Sequence, residues 1–413
     1  MNTTLLWQLA FWFSGGCLCW TYLGYPVFIK WLAQGRINNP LKNNNTKPCN
    51  SENTDLCLDV VVIMAAYNEE KVLEAKLDSI FNTQYPDEKL TVWVASDCST
   101  DGTNTIVKVW QQQHPEAKLF LYEAPQRSGK INLVNTVVSQ LSAQAKDDSA
   151  FTNTILLLTD ANVLFTPATI NELIIHFANP EVGMVGANII NHQVAKSGIS
   201  YQEKWYIQRE NQIKYHESLW GGCMIGAFGG CFALRASLYT PVPSHFRVDD
   251  LFLTLQIFEQ NKKALFEPAA ICYEDLPQNM PEELRRKRRI ASGNFQNLAK
   301  FARLILPAYK KVAICFLSHK VLRWIGPFFL IIAWAASLFL YQHHLFYKMA
   351  FWLQTIGFGF PFIELLLQRF ETSNKFVRFI AYFYQANLEL LIGFFHYLKG
   401  VKTSVWKPTE RTL

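Results

Sequence analysis

The chain has 413 residues, enough for one large catalytic domain with membrane segments or for two ordinary soluble domains. Half of the residues are apolar and 14% are aromatic, while 17% are charged against about 25% in average soluble proteins, which weighs against a purely water-borne chain. A net charge of +6 without a long basic run excludes nucleic acid as the expected partner, and the nine cysteines, lacking C-x-x-C or zinc-ligand spacing, read as reduced and structural.

From Leu5 to Leu32 only Lys30 is charged, which is more than the roughly 20 apolar residues a bilayer span requires. No basic n-region or small-residue cleavage site accompanies it, so residues 1–33 read as a retained anchor. Lys30, Arg36, Lys42 and Lys47 follow, placing the next segment in the cytoplasm by the positive-inside rule. Residues 34–58, Asn-rich from Asn38 to Thr54, read as a linker.

Over residues 59–298 strands and helices alternate. Asp59–Ala65 is a buried strand, Glu69–Phe81 a helix, and Leu90–Ala95, Leu119–Glu123 and Thr154–Thr159 are further strands. This β-α-β-α order predicts an α/β domain with a doubly wound, mainly parallel, Rossmann-like sheet, whose ligands lie beyond the C-terminal strand ends. Residues 299–320 mix Lys and Arg with Phe, Leu and Ile, as in a helix lying on a membrane. Within 321–399, spans are predicted at Val321–Tyr341, Met349–Leu367 and Phe379–Leu398, followed by a basic tail over 400–413. Three spans would put that tail outside, against the charge rule, and the topology stays open.

The strand ends carry the chemistry. The first delivers Ala65-Ala66-Tyr67-Asn68-Glu69-Glu70, the second Asp97-Cys98-Ser99-Thr100-Asp101-Gly102. Carboxylates there can accept hydrogen bonds from a base or ribose, and equally serve as turn and N-cap residues. The third delivers Asp160-Ala161-Asn162, two oxygen-bearing side chains able to reach one hard cation, Mg²⁺ or Mn²⁺. Asp249-Asp250 opens a helix, where a carboxylate is either a dipole complement or a general base. In Arg285-Arg286-Lys287-Arg288-Arg289, Arg286 and Arg289 share a helix face, suited to a diphosphate or to anionic lipid.

The ordered series A-A-Y-N-E-E, D-C-S-T-D-G-T, S-G-K, T-D-A-N, V-D-D and R-R-K-R-R-I resembles the motif set of inverting family-2 glycosyltransferases. It is most similar to the membrane-bound branch with cellulose, hyaluronan and poly-N-acetylglucosamine synthases. The resemblance implies a cytoplasmic GT-A domain with flanking transmembrane helices in a multi-pass inner-membrane protein. It implies that Ala65, Tyr67, Glu69, Asp97 and Asp101 surround the nucleotide, with Lys130 near the diphosphate. By the same resemblance Asp160 and Asn162 are expected to hold the metal, Asn162 replacing an Asp. The resemblance further implies that Asp250 is the base beside Asp249, that Arg286 and Arg289 meet the diphosphate, and that Gly229, Gly230, Cys231 and Ile290 line the acceptor site. Ile290 stands where processive synthases carry Trp, and cannot stack on a sugar as Trp does; Phe295 or Trp406 are candidate substitutes. The implied partners are a UDP-sugar donor, a glycan or lipid-linked acceptor, the bilayer, and export or accessory proteins. Processive synthesis, single addition to a lipid-linked acceptor, and a non-catalytic transport or scaffold role all stay open.

Overall fold

The structure is a computed structural model and describes residues 3–37, 57–145, 151–191, 199–274, 280–370, 372 and 374–401. Most of the linker and of the basic tail, Trp406 included, therefore lies outside the described residues. The chain divides into two compact units. One comprises Ile29–Gln278 with Ala308–Val312, the other Met1–Phe28, Asn279–Pro307 and Ala313–Gly400.

The elements in chain order are α1 (Thr3–Cys19), α2 (Tyr25–Ile37), β1 (Asp59–Ala66), α3 (Leu73–Phe81), β2 (Leu90–Ser96), α4 (Thr103–Gln113), β3 (Leu119–Glu123), α5 (Lys130–Gln144), β4 (Thr154–Asp160), β5 (Val163–Phe165), β6 (Val182–Asn191), β7 (Cys231–Arg235) and β8 (Lys263–Glu274). The later helices are named by their residues. The sheet order is β3-β2-β1-β4-β7-β6-β8-β5. β1 to β4 pair in parallel, as the alternating pattern predicts. The sheet is nevertheless mixed, because β7 runs antiparallel to both β4 and β6, and β5 antiparallel to β8. Val60 to Ala66 are all buried, so helices cover both faces of β1.

The predicted helix at Glu69–Phe81 begins instead at Leu73. The reason is local: the first residues are tied to the loop after β2. The Glu69 N–H donates to Thr103 Oγ1 at 2.8 Å, the Glu70 N–H to Asp101 Oδ2 at 3.2 Å, and the Gly102 N–H to Glu70 Oε2 at 2.8 Å. Once free of that loop, Leu73, Leu77 and Ile80 recur at helical spacing and enter the core with Val62, Val94 and Trp110.

In the second unit, α1 meets the helix Gly326–Phe339, with Trp7 and Phe339 stacked at 4.2 Å. The single surface helix expected over 299–320 is replaced by the end of helix Met280–Lys300, tight turns at Ala302–Ile305 and Pro307–Tyr309, and a new helical start at Lys311. The expected span at Val321–Tyr341 is broken: Lys311–Trp324 and Gly326–Phe339 meet at 61°, where Pro327 in the first turn removes a backbone donor. By length and composition Leu345–Arg369 can cross a membrane, and the bent pair is a second candidate if read as one span.

Polarity in this unit is turned inside out. Leu353, Phe362 and Phe376 are exposed, while Glu364, Asn387 and Glu389 are buried. Glu389 receives both Arg288 Nε at 2.8 Å and Nη2 at 3.0 Å, and Glu364 receives Arg378 Nε at 3.0 Å. Gly393 lets Lys375–Leu398 approach Met280–Lys300 closely, since a Cβ there would collide with that of Ala291.

Trp110 is buried, donates from Nε1 to Asp78 at 2.9 Å and stacks on Phe81 at 4.7 Å, joining α4 to α3. Trp110→Ala is expected to cost about 3–5 kcal/mol, read as a lower unfolding midpoint in denaturant. A midpoint equal to wild type would show that this contact does not carry the α3–α4 packing.

Candidate active site

Parallel strands bring their C-terminal ends to one edge, and β7 starts from that edge because it runs the other way. Ala66 pairs opposite Ser96, Ala65 opposite Asp160, and Thr159 opposite Cys231. The loop Phe228-Gly229-Gly230, which feeds β7, therefore arrives beside the Asp160-Ala161-Asn162 turn. Both the Asp160 N–H (3.1 Å) and the Thr159 hydroxyl (2.9 Å) donate to the Gly230 carbonyl.

Lys130 is the first residue of α5, delivered by Gly129 at φ +87°, a conformation that glycine adopts without strain. Its Nζ lies 2.7 Å from Asp160 Oδ1, 3.9 Å from Asp249 Oδ2 and 3.4 Å from the Gly229 carbonyl. Burial alone would lower this ammonium, but the Asp160 and Asp249 carboxylates outweigh it and hold it well above the usual lysine range. Asp250 opens the helix Asp249–Glu259 and accepts the Leu251 N–H at 2.7 Å. A Cβ built on Gly229 would stand 3.0 Å from Asp250 Oδ2, so the glycine leaves room for that carboxylate. Burial, then the neighbouring Asp249, push Asp250 up to about 6, against the pull of the Leu251 N–H, Lys130 and Lys214.

Asp97, expected at the nucleotide, is fully buried. It accepts the Ser128 N–H at 2.7 Å and the Gly129 N–H at 3.1 Å, with Arg127 Nε 3.5 Å away. It thus fixes the loop that presents Lys130. Arg127 in turn lies 3.5 Å over the Tyr67 ring. Asp101 takes the turn role, its Oδ1 accepting the Thr103 N–H at 3.0 Å and hydroxyl at 2.6 Å. Ala65 is buried and Glu69 half-buried at the same edge. Cys231 is wholly buried beneath it. Arg286, Arg289 and Ile290 lie on the helix Met280–Lys300, in the other compact unit.

Three residues at the edge escaped the motif reading. Glu274, ending β8, accepts Asn162 Nδ2 at 3.4 Å. Lys214 is buried with Nζ 3.3 Å over the Phe228 ring. Arg127 is the third. A signal for Lys214 exists: Glu210, Lys214 and Glu217 recur at helical spacing within Ile199–Gly221, and all three are buried. His176, by contrast, pairs with Glu267 at 2.5 Å and is structural.

Asp160 and Asn162 offer a carboxylate and an amide carbonyl, and among the described residues no group of three or more His, Cys, Asp or Glu could cage a metal unaided. Such a sparse oxygen set fits Mg²⁺ or Mn²⁺, which usually complete their shell with water and substrate phosphate.

A mixed α/β sheet thus gathers a D-x-N turn, a glycine loop and paired carboxylates on one edge. A family model described as "Glycosyl transferase family group 2" matches residues 155–398, and one described as "Glycosyl transferase family 2" matches residues 61–240. The chain belongs to glycosyl transferase family group 2. It is 23% identical to the Bacillus subtilis protein named "Probable glycosyltransferase YdaM", over 95% of this chain and 96% of that one. It is 27% identical over 124 residues to Beta-monoglucosyldiacylglycerol synthase of Synechocystis, which is 30% of this chain and 24% of that protein. Among solved structures it is similar to the mannosyltransferase PcManGT of Pyrobaculum calidifontis, in complex with GDP-Man and Mn²⁺. The TM-score is 0.65 at 22% identity, over 93% of this chain and 97% of that one.

A carboxylate must be ionised to accept a proton. With Asp250 pushed up to about 6, turnover is expected to be level above about pH 7 and to fall about tenfold per pH unit below about 6. A pH–rate profile of nucleoside diphosphate release measures this. A rate still flat at about pH 5 would remove Asp250 as the titrating base.

Proposed function

We propose that this enzyme transfers one sugar, with inversion, from a nucleoside diphosphate sugar to a hydroxyl of a lipid-linked acceptor at the membrane surface. The observation that carries the reading is the single cluster of Lys130, Asp160, Asp249 and Asp250 against the Gly229 carbonyl and backbone. Asp250 takes the proton from the acceptor hydroxyl as that oxygen attacks the anomeric carbon. Lys130 offsets negative charge growing on the departing diphosphate. One base and no carboxylate nucleophile are required, so an α-linked donor yields a β-linked product. Asp160 and Asn162 would hold Mg²⁺ or Mn²⁺, which would supply further charge neutralisation when bound. Tyr67 and Arg127 form a platform suited to a nucleobase, and Asp97 holds the Lys130 loop in place.

The motif resemblance favours UDP as the carrier. GDP-mannose belongs in any test as well, because a mannosyltransferase solved with that donor shares the fold. Single addition to a lipid is favoured over processive synthesis by Ile290 in place of a stacking Trp. The local likeness to a glucosyldiacylglycerol synthase points the same way. The membrane assignment draws on the inside-out polarity of the second unit, with phenylalanines and leucines outward and paired carboxylates inward. In this reading the chain is a multi-pass protein of the inner membrane with its catalytic domain in the cytoplasm.

Detergent-purified protein with Mg²⁺ or Mn²⁺ is expected to release nucleoside diphosphate from one donor in a panel of UDP-sugars and GDP-mannose, given lipid acceptors. Asp250→Asn should lower that rate by about 10²–10⁴-fold. Near wild-type turnover by this variant would end its assignment as the base. Products longer than one added sugar would favour processive synthesis instead.

A further inference from the structure

Lys76 belongs to no motif of the set, yet its side chain is wholly buried. It sits on α3 among Leu73, Leu77 and Ile80, all fully buried. Stripping water from an ammonium costs several kcal/mol unless its protons find partners. Lys76 Nζ donates to Thr159 Oγ1 at 2.9 Å and to the Val163 carbonyl, and lies 3.6 Å from the centre of the Phe165 ring.

The positions of those partners matter. Thr159 is the penultimate residue of β4 and Val163 the first of β5. Between them lie only Asp160, Ala161 and Asn162, so the ammonium bridges the two ends of the D-x-N turn. An ammonium can only donate, so the Thr159 hydroxyl accepts from it and directs its own proton elsewhere. That proton goes to the Gly230 carbonyl at 2.9 Å, the same oxygen that receives the Asp160 N–H at 3.1 Å. The preceding residue, Gly229, offers its carbonyl to Lys130 and backs onto the Asp250 carboxylate. One buried cation therefore sets the direction of a hydrogen-bond chain joining α3, the D-x-N turn and the glycine loop.

We propose that Lys76 is a positioning residue. It clamps the Asp160–Asn162 turn and the Gly229–Gly230 loop in one geometry, so that divalent cation, diphosphate and acceptor are held in register. This rests on the transferase reading above. A lysine that served only the fold would alter melting and leave cation affinity alone, whereas a clamp on the ligand-bearing turn changes cation affinity in a folded protein.

The test uses the full chain in detergent as wild type, Lys76→Met, Thr159→Val and the double variant. Mn²⁺ binding is followed by electron paramagnetic resonance with UDP or GDP in separate titrations, and thermal unfolding is recorded for each protein. Lys76→Met is expected to weaken Mn²⁺ binding about 10–100-fold, the usual effect of losing a group that orients metal ligands. Thr159→Val should weaken it in the same direction. The double variant should lie within about twofold of the worse single, because both remove one chain of bonds. A folded Lys76→Met that binds Mn²⁺ within about twofold of wild type overturns the clamp, as does a double variant whose losses multiply. If Lys76→Met does not fold, Thr159→Val decides: weakened binding supports the clamp, and unchanged binding overturns it. Wild-type protein that binds no Mn²⁺ with either nucleotide overturns the metal-dependent reading and the clamp with it. Tight wild-type binding with unaffected variants sinks the clamp alone.

Discussion

The Lys130 ammonium, set between the Asp160 and Asp249 carboxylates at the sheet edge, is the interaction on which the arrangement of the site depends. Beyond burial, the like charge of Asp249 bears on Asp250 and helps raise it. Lys130, 2.7 Å from Asp160 and 3.9 Å from Asp249, pulls the other way, and the balance leaves Asp250 at about 6. Much of the surrounding structure keeps Lys130 in place: Asp97 grips the loop before it, Gly129 makes the turn, and the Gly229 carbonyl gives a further acceptor.

What the sequence made legible follows from how such sites are built. Residues just past a buried strand lie at the crevice, so Asp160 and Asn162 could be named from strand pattern. Asp249, Asp250 and Lys130 begin helices, and were singled out by motif order instead. The antiparallel return of β7 was less visible, because a five-residue buried strand reads alike in either direction. The start of α3 was missed because its first residues pair with a loop 31 to 34 positions away, which helical periodicity cannot register. Asp97 shows a different limit. Its placement after β2 marks it as special, but whether its oxygens meet a ligand or the Ser128 and Gly129 amides depends on a contact over 31 and 32 residues.

Buried cations were the least legible of all. A lysine within a helix is ordinarily a solvated residue, and pattern reading assigns it to the outer face. Lys76 and Lys214 both break that expectation, and both are tied to the site: Lys76 through Thr159, Lys214 over Phe228. The clue lay in phase rather than identity. Lys76 falls between Leu73 and Leu77 on the apolar stripe, where a charged residue costs stability unless it does something else.

The basic run Arg285 to Arg289 shows why charge runs resist a single interpretation. On the helix Met280–Lys300, Lys287 donates to the Tyr382 hydroxyl at 2.8 Å and Arg288 grips Glu389 with two bonds, while Arg285 is exposed. Lys287, Arg288 and Ala291 share one helix face, so part of the run is consumed in pairing helices. The pairing has a chemical necessity in an apolar setting. An isolated Glu389 would be a costly buried charge, and a bidentate guanidinium satisfies both of its oxygens at once. Glu364 is met differently, by one bond from Arg378 Nε at 3.0 Å and one from Gln368 Nε2 at 3.0 Å, both on Oε1. Glu389 and Glu364 are thus each met by an arginine brought from a different helix. Hydropathy along one segment cannot reveal this, because the compensating charge is written elsewhere in the chain.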